Sequence, residues 1–221
     1  MRPRTDGGAG APRAWQRMLS GRRLDLLNPS PLDIEIEDIA HGLARVARWN
    51  GQTRGEHIFS VAQHTLLTAQ LARRNGSRDR RLALAVLLHD APEYVIGDMI
   101  SPFKATIGGS YKAVERRLLH AIHLRFGLPL DLPARTVAAV KAADRGAAFL
   151  EATALAGFSA AEARLLFGPR PVLPAAVERD HLTPWPAELA KQRFLARFHE
   201  LCGDDTAAAT PPPQEGDSRC K

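Results

Sequence analysis

Cysteine is nearly missing from this sequence: among 221 residues there are only Cys202 and Cys220. Two thiols near one end cannot supply a disulfide framework or a cysteine zinc cluster. Met1 is not followed by an apolar signal region, and no run approaches the ~20 apolar residues that cross a bilayer. No membrane association is therefore expected, and a cytoplasmic protein is. No internal repeat is present, and no segment alternates convincingly as a strand would. The arginines of the N-terminal arm (Arg2, Arg4, Arg13, Arg17, Arg22, Arg23) lack an interleaved platform of aromatic side chains. The excess of Lys+Arg 30 over Asp+Glu 24 and the pI near 9.9 thus suit an anionic ligand. Nucleic-acid binding as the main function is not expected.

What is present is enough apolar material, 45% of residues, for one substantial core. The reading is all-α: a single compact helical domain over 14–202, with a Gly/Pro/Arg-rich arm 1–13 and a polar tail 203–221 expected to be disordered. A short helix is expected over 14–19. A second helix is expected to start among Asp33, Glu35, Glu37 and Asp38, where negative charge favours a helix N-terminus, and to run to about Arg48. Ser60-Val61-Ala62-Gln63 reads as a capping box opening a helix that ends near Arg74. An apolar helix follows from 80 to 90, stopped by Pro92. Further helices are expected over 111–126, from Pro133 to about Leu155, and from 187 to 201. Ser159 and Glu162 form a second capping box, opening a short helix to Phe167. Residues 168–186 read as proline-rich loop.

Three of these helices carry polar residues on their apolar faces: His64, the pair His89-Asp90, and Asp144. A buried carboxylate needs a partner, and no lysine or arginine shares those stripes. Two neutral imidazoles and two carboxylates balance one divalent cation. Mixed nitrogen and oxygen donors suit Mn, Fe, Co, Ni or Zn better than Mg or Ca.

The order H…HD…D, His64, His89-Asp90 and Asp144, resembles the signature of the HD-domain metal-dependent phosphohydrolases. Ser60-Val61-Ala62-Gln63-His64, His89-Asp90-Ala91-Pro92-Glu93, Gly97-Asp98 followed by Pro102 and Lys104, and Lys141-Ala142-Ala143-Asp144 are similar to the bacterial 5′-deoxynucleotidase branch, over roughly 36–155. The resemblance implies an HD-type helical bundle and one divalent transition metal held by His64, His89, Asp90 and Asp144. It implies an enzyme that removes phosphate from deoxynucleoside 5′-monophosphates. It places Glu93 to handle the proton of the attacking water and Asp98 near that water or the leaving group. So many acidic groups would repel a phosphate dianion, so Arg48, Arg54 and Lys104 are candidate substrate cations, and Trp49 could stack on a base or cover the core. The segment around Arg48-Trp49 and Arg54 differs in length from the resembling enzymes. The family's habit of dimerising implies a homodimer, although no segment marks an interface. Two alternatives stay open: an HD-type nucleoside triphosphate triphosphohydrolase, and a metal-bound regulatory module without catalysis. His120 and His123, three residues apart, read as a solvated helix face rather than a second metal site.

Overall fold

The computed structural model describes residues 14–74, 79–100 and 109–203. The arm 1–13, most of the tail, and Pro102 and Lys104 lie outside the described residues.

The described chain begins with an antiparallel hairpin, β1 (Trp15–Arg17) and β2 (Arg23–Asp25), Trp15 opposite Asp25 and Arg17 opposite Arg23. The helix expected over 14–19 does not form. So short a segment does not recover the cost of helix nucleation, whereas Gly21 at φ 86 lets the chain fold back. Leu24 is fully buried. Ser20 fastens the turn to the next helix, donating its N–H (3.0 Å) and hydroxyl (2.5 Å) to the Asp38 carboxylate.

Helix α1 (Ile36–Leu43) carries the expected stripe but stops well before Arg48. Ala47 pairs with Ser60 in an antiparallel bridge, which draws the chain into extended backbone. Trp49 and Asn50 then adopt φ 57 and 51, followed by Gly51 at 74. Left-handed backbone costs a non-glycine residue about 1–2 kcal/mol. Packing of the Trp49 ring on Phe158 (5.6 Å between centroids) and Phe167 (6.0 Å) offsets it.

The remaining helices are α2 (Val61–Arg74), α3 (Arg80–Leu87), α4 (Glu93–Ile96), α5 (Gly109–Arg125), α6 (Ala134–Ala154), α7 (Ala160–Phe167), α8 (Ala175–Leu182) and α9 (Ala187–Cys202). Helix α8 falls inside the stretch read as loop; Pro174 at its N-cap marks a start rather than a break. The Ser159–Glu162 capping box is complete. The Ser60–Gln63 box is half made: Ser60 Oγ accepts the Gln63 N–H at 3.2 Å, but the Gln63 amide turns elsewhere. Its Nε2 donates to the carbonyls of His181 (2.9 Å) and Thr183 (2.7 Å), and its Oε1 accepts the Trp185 N–H at 2.9 Å.

Two apolar clusters fill the molecule. One joins α1, α3, α5 and α9 through residues such as Ile39, Leu87, Leu118 and Phe194. The other joins α2, α6 and α7 through Leu67, Val140, Ala147, Leu150 and Ala163. Helices α2 and α3 contribute to both, so the polar residues at their ends lie along the seam between the clusters. Small residues on α6 let α2 approach closely; a Cβ on Gly146 would meet Leu71 Cδ1 at 3.2 Å. None of the described helices is long and apolar enough to cross a membrane.

Candidate metal centre

The site is built where α2, the end of α3 and α6 converge. His64 lies on the first turn of α2 and is fully buried. Helix α3 ends at Leu87, so His89 and Asp90 stand in the turn beyond it rather than on its last turn. Pro92 explains the break: it lacks an N–H and its ring would collide with the carbonyl four residues back, at Leu88. The tight turn then relaunches the chain as α4, with Glu93 as its first residue and only 2% exposed. Asp144 comes from the middle of α6.

These segments meet. His64 Nε2 lies 3.4 Å from Asp90 Oδ2 and 3.3 Å from Asp144 Oδ1, and His89 Nε2 lies 3.2 Å from Asp90 Oδ2. One ring nitrogen each of His64 and His89 and an oxygen of Asp90 lie within 4.8 Å of one another. The far ring nitrogens are already used. His89 Nδ1–H donates to the Val86 carbonyl at 2.7 Å, and His64 Nδ1–H donates to Glu151 Oε1 at 2.5 Å. In the neutral rings both Nε2 atoms therefore carry lone pairs, and both are buried without a hydrogen bond. Lone pairs aimed at carboxylates repel unless a cation stands between them. For metal–ligand bonds of about 2.1 Å, neighbouring donor atoms are about 3.0 Å apart in an octahedron and about 3.4 Å in a tetrahedron. The three separations match the edges of such a polyhedron. His64, His89 and Asp90 form the cluster of donors that fits a divalent ion, and Asp144 stands beside it through its contact with His64.

The electrostatics agree. Burial and the charge of Arg48 push the His64 pKa down, yet Glu151, Asp144 and Asp90 outweigh them and hold it well above its ordinary value. Burial likewise opposes protonation of His89, and Asp90 reverses the balance upward. Burial works to raise the carboxyl pKa values, but His89 and His64 hold Asp90 well below the usual range, and His64 keeps Asp144 below it. The carboxylates are thus anionic and draw positive charge, protons or a metal, to the imidazoles. The Asp144 side chain is 39% exposed and the His64 side chain 0%, so the site opens to solvent on the α6 side.

The other candidate residues divide. Arg48 is at the site, but committed to ion pairs: Nη1 lies 3.2 Å from Asp98 Oδ2 and Nη2 3.4 Å from Glu151 Oε2. Burial would lower its pKa, but Glu151, Asp98, Asp90 and Glu93 together raise it. Trp49 covers the second core and donates its indole N–H to Glu151 Oε2 at 3.0 Å. Asp98, 7% exposed at its side chain, is brought to the site by Arg48. Arg54 is exposed; its backbone N–H holds the Leu155 carbonyl at 3.0 Å, and its side chain shows no polar contact among the described residues. Lys104 lies outside the described residues. His123, read as part of a solvated face, is buried, with Nδ1–H donating to the Pro129 carbonyl at 3.0 Å, while His120 faces Asp131 at 3.4 Å.

Sequence reasoning missed Glu151. It is fully buried, and although burial raises its pKa, His64 and Arg48 hold it below the usual carboxylate range. The signal was there: Glu151 follows Asp144 by seven residues, two helical turns, and so shares its face of α6.

With this geometry established, similarity to known proteins becomes informative. The model of a protein family described as 5′-deoxynucleotidase YfbR-like matches residues 39–156. An uncharacterised protein of Rhodobacter capsulatus is 59% identical over 191 residues, 86% of this chain and 96% of its own length. The Escherichia coli K12 protein YfdR, also uncharacterised, is 35% identical over 97 residues, 44% of this chain and 49% of its own length.

Proposed function

The chain belongs to the YfbR-like 5′-deoxynucleotidase family of HD-domain hydrolases, and from that premise we propose that it hydrolyses the phosphate ester of deoxynucleoside 5′-monophosphates with the help of one divalent transition metal. The observation that carries the reading is the pair of buried, unbonded Nε2 atoms of His64 and His89 facing Asp90 and Asp144 at 3.2–3.4 Å. These four residues would hold the ion. When bound, a divalent ion supplies Lewis acidity toward a phosphoryl group and acidifies water beside it.

The chain's own residues supply the rest. In hydrolysis the water oxygen forms a new bond to phosphorus, the bond to the 5′-oxygen breaks, and one water proton must be removed. Glu93, buried beside the HD turn, takes that proton. Asp98, held by Arg48, stands by the departing 5′-oxygen, and the proton that Glu93 takes from water balances the one this oxygen gains in leaving as the nucleoside hydroxyl. Arg48 has a second duty: among the described residues it is the one guanidinium in contact with a group that also holds Asp90, Glu93, Asp98, Asp144 and Glu151.

A release assay tests this. Deoxynucleoside and ribonucleoside monophosphates and deoxynucleoside triphosphates are offered with Mn, Co, Zn, Ni or Mg, and phosphate, nucleoside and triphosphate are measured. Phosphate and nucleoside from the monophosphates are expected. Triphosphate release from deoxynucleoside triphosphates would replace the reading, and no turnover with any metal would remove it. Glu93→Gln is expected to retain the metal and lose about 10²–10⁴-fold in kcat.

A further inference from the structure

We infer that Glu151 is the positioning residue of this site: one oxygen sets the ring of His64 toward the ion, while the other holds Arg48 and Trp49 in the wall that meets substrate. The inference deepens the metal-dependent reading above and rests on it.

A fully buried carboxylate is costly to leave unpaired, by several kcal/mol, and Glu151 is fully buried. Its two oxygens are divided between two tasks. Oε1 accepts from His64 Nδ1 at 2.5 Å. Oε2 accepts from Trp49 Nε1 at 3.0 Å and Arg48 Nη2 at 3.4 Å. If neutralising Arg48 were its purpose, the fork of the guanidinium would close on it with two short contacts. Arg48 instead makes its shorter contact, 3.2 Å, with Asp98, and the shortest contact of Glu151 is with His64.

The reason His64 needs such a partner lies on the ring's other side. Asp90 and Asp144 both face Nε2, and two carboxylates there favour the tautomer with its proton on Nε2. That tautomer has no lone pair to give an ion. A carboxylate at Nδ1 competes for the same proton and keeps it on Nδ1, leaving Nε2 free as a donor. Both competing carboxylates of α6 act on one ring: Asp144 faces Nε2 and Glu151, two turns later, grips Nδ1. His89 is arranged differently. Its Nδ1–H meets a neutral backbone carbonyl, that of Val86 at 2.7 Å, so the tautomer there is set without a second charge. The anionic partner makes His64 the stronger donor of the two.

The same carboxylate reaches the substrate side because the chain at Trp49 is left-handed, at φ 57. That conformation turns the indole inward, N–H on Glu151 and ring against Phe158 and Phe167. Removing Glu151 therefore loosens the metal side and the substrate side together, whereas removing the Trp49 N–H loosens only the substrate side.

The test uses the full chain stripped of metal with a chelator and titrated with Co²⁺ by calorimetry and by its visible absorption. Glu151→Gln keeps an oxygen for Nδ1–H and loses the charge; Glu151→Ala loses both. Metal affinity is expected to fall about tenfold in the first and about 100-fold in the second, with a changed Co²⁺ spectrum in Glu151→Gln. Trp49→Phe keeps an aromatic side chain and loses the indole N–H; it is expected to bind Co²⁺ as the unaltered chain does and to raise KM more than it lowers kcat. Glu151→Gln should melt below the unaltered protein even in chelator, because His64 and Arg48 lose a buried charge partner. The gain in midpoint on adding metal, not the metal-free midpoint, reads the positioning role, and it should be smaller in the variant. Unchanged Co²⁺ affinity and spectrum in Glu151→Gln would overturn the inference, as would a gain in thermal midpoint on adding metal equal to that of the unaltered chain. Should Glu151→Ala fail to fold, Glu151→Gln decides alone. If the unaltered chain binds Co²⁺ yet releases no phosphate, the proposed activity fails while the positioning role is still measured.

Discussion

The side-chain oxygen of Gln63 accepts the backbone N–H of Trp185 at 2.9 Å, across 122 positions of sequence. The same amide donates to two carbonyls, those of His181 and Thr183. One side chain, next in sequence to His64, thus clamps the connection between α8 and α9 to the start of α2. An amide with three bonds in a fully buried position is expensive to replace, since each backbone group left unsatisfied costs about 1–3 kcal/mol.

Gln63→Leu, which keeps the volume and deletes the bonds, should destabilise the protein by about 2–4 kcal/mol. Chemical denaturation reads this directly, and a loss below about 0.5 kcal/mol would mean that water or a rearranged loop serves those groups equally well.

Gly42 sets how closely α1 approaches α4. A Cβ there would stand 2.7 Å from the Tyr94 carbonyl oxygen and 2.8 Å from Tyr94 Cβ, and backbone cannot swing aside as a flexible side-chain end can. Gly42→Ala is expected to cost about 1–3 kcal/mol despite alanine's better helix propensity. Because α4 begins at Glu93, kcat should fall as well. A rise in thermal midpoint would show that the two helices separate without strain.

Glu35 joins three elements, accepting from Arg22 at the hairpin (2.7 Å) and from Arg125 at the end of α5 (3.3 Å). The Arg22 hydrogen bond, outweighing a small opposing effect of burial, holds the Glu35 pKa below its ordinary 4.5. A depressed carboxyl pKa stabilises the fold above the unfolded value and ceases to do so as pH falls through the folded value. The stability gap between the unaltered protein and Glu35→Gln should therefore be constant above about pH 5 and close as the pH is lowered beyond 4.5. Thermal midpoints across pH 3–7 check it, and a gap independent of pH would show that the carboxylate charge does not contribute.

Asp144→Ala removes one of the two carboxylates facing His64 Nε2. Elemental analysis should find the metal lost on dialysis that the unaltered chain retains. Added metal at 100 times the dissociation constant stabilises a folded protein by about 2.7 kcal/mol, and the variant should gain far less at the same concentration. Equal metal content in the two would remove Asp144 from the ligand set.

The helical scaffold and the positions of the candidate ligands were legible in the chain itself, because both depend on neighbours three, four or seven residues away. The apolar faces interrupted by His64 and Asp144, the Ser159–Glu162 capping box and the span of α6 all follow from such local spacing, and the stop near Pro92 follows from one missing N–H. Tertiary structure decided whom the buried polar groups serve. Gln63 could have closed its own capping box, and Arg48 could have faced solvent, but segments 50 to 120 residues away brought carbonyls and carboxylates within reach. Glu151 shows both halves of this. Its place on the face of Asp144 is a matter of helical period, while its grip on His64, Trp49 and Arg48 exists only once α2, α6 and the left-handed turn after α1 are packed together, since a buried charge takes its partners from whatever folding brings within hydrogen-bond reach.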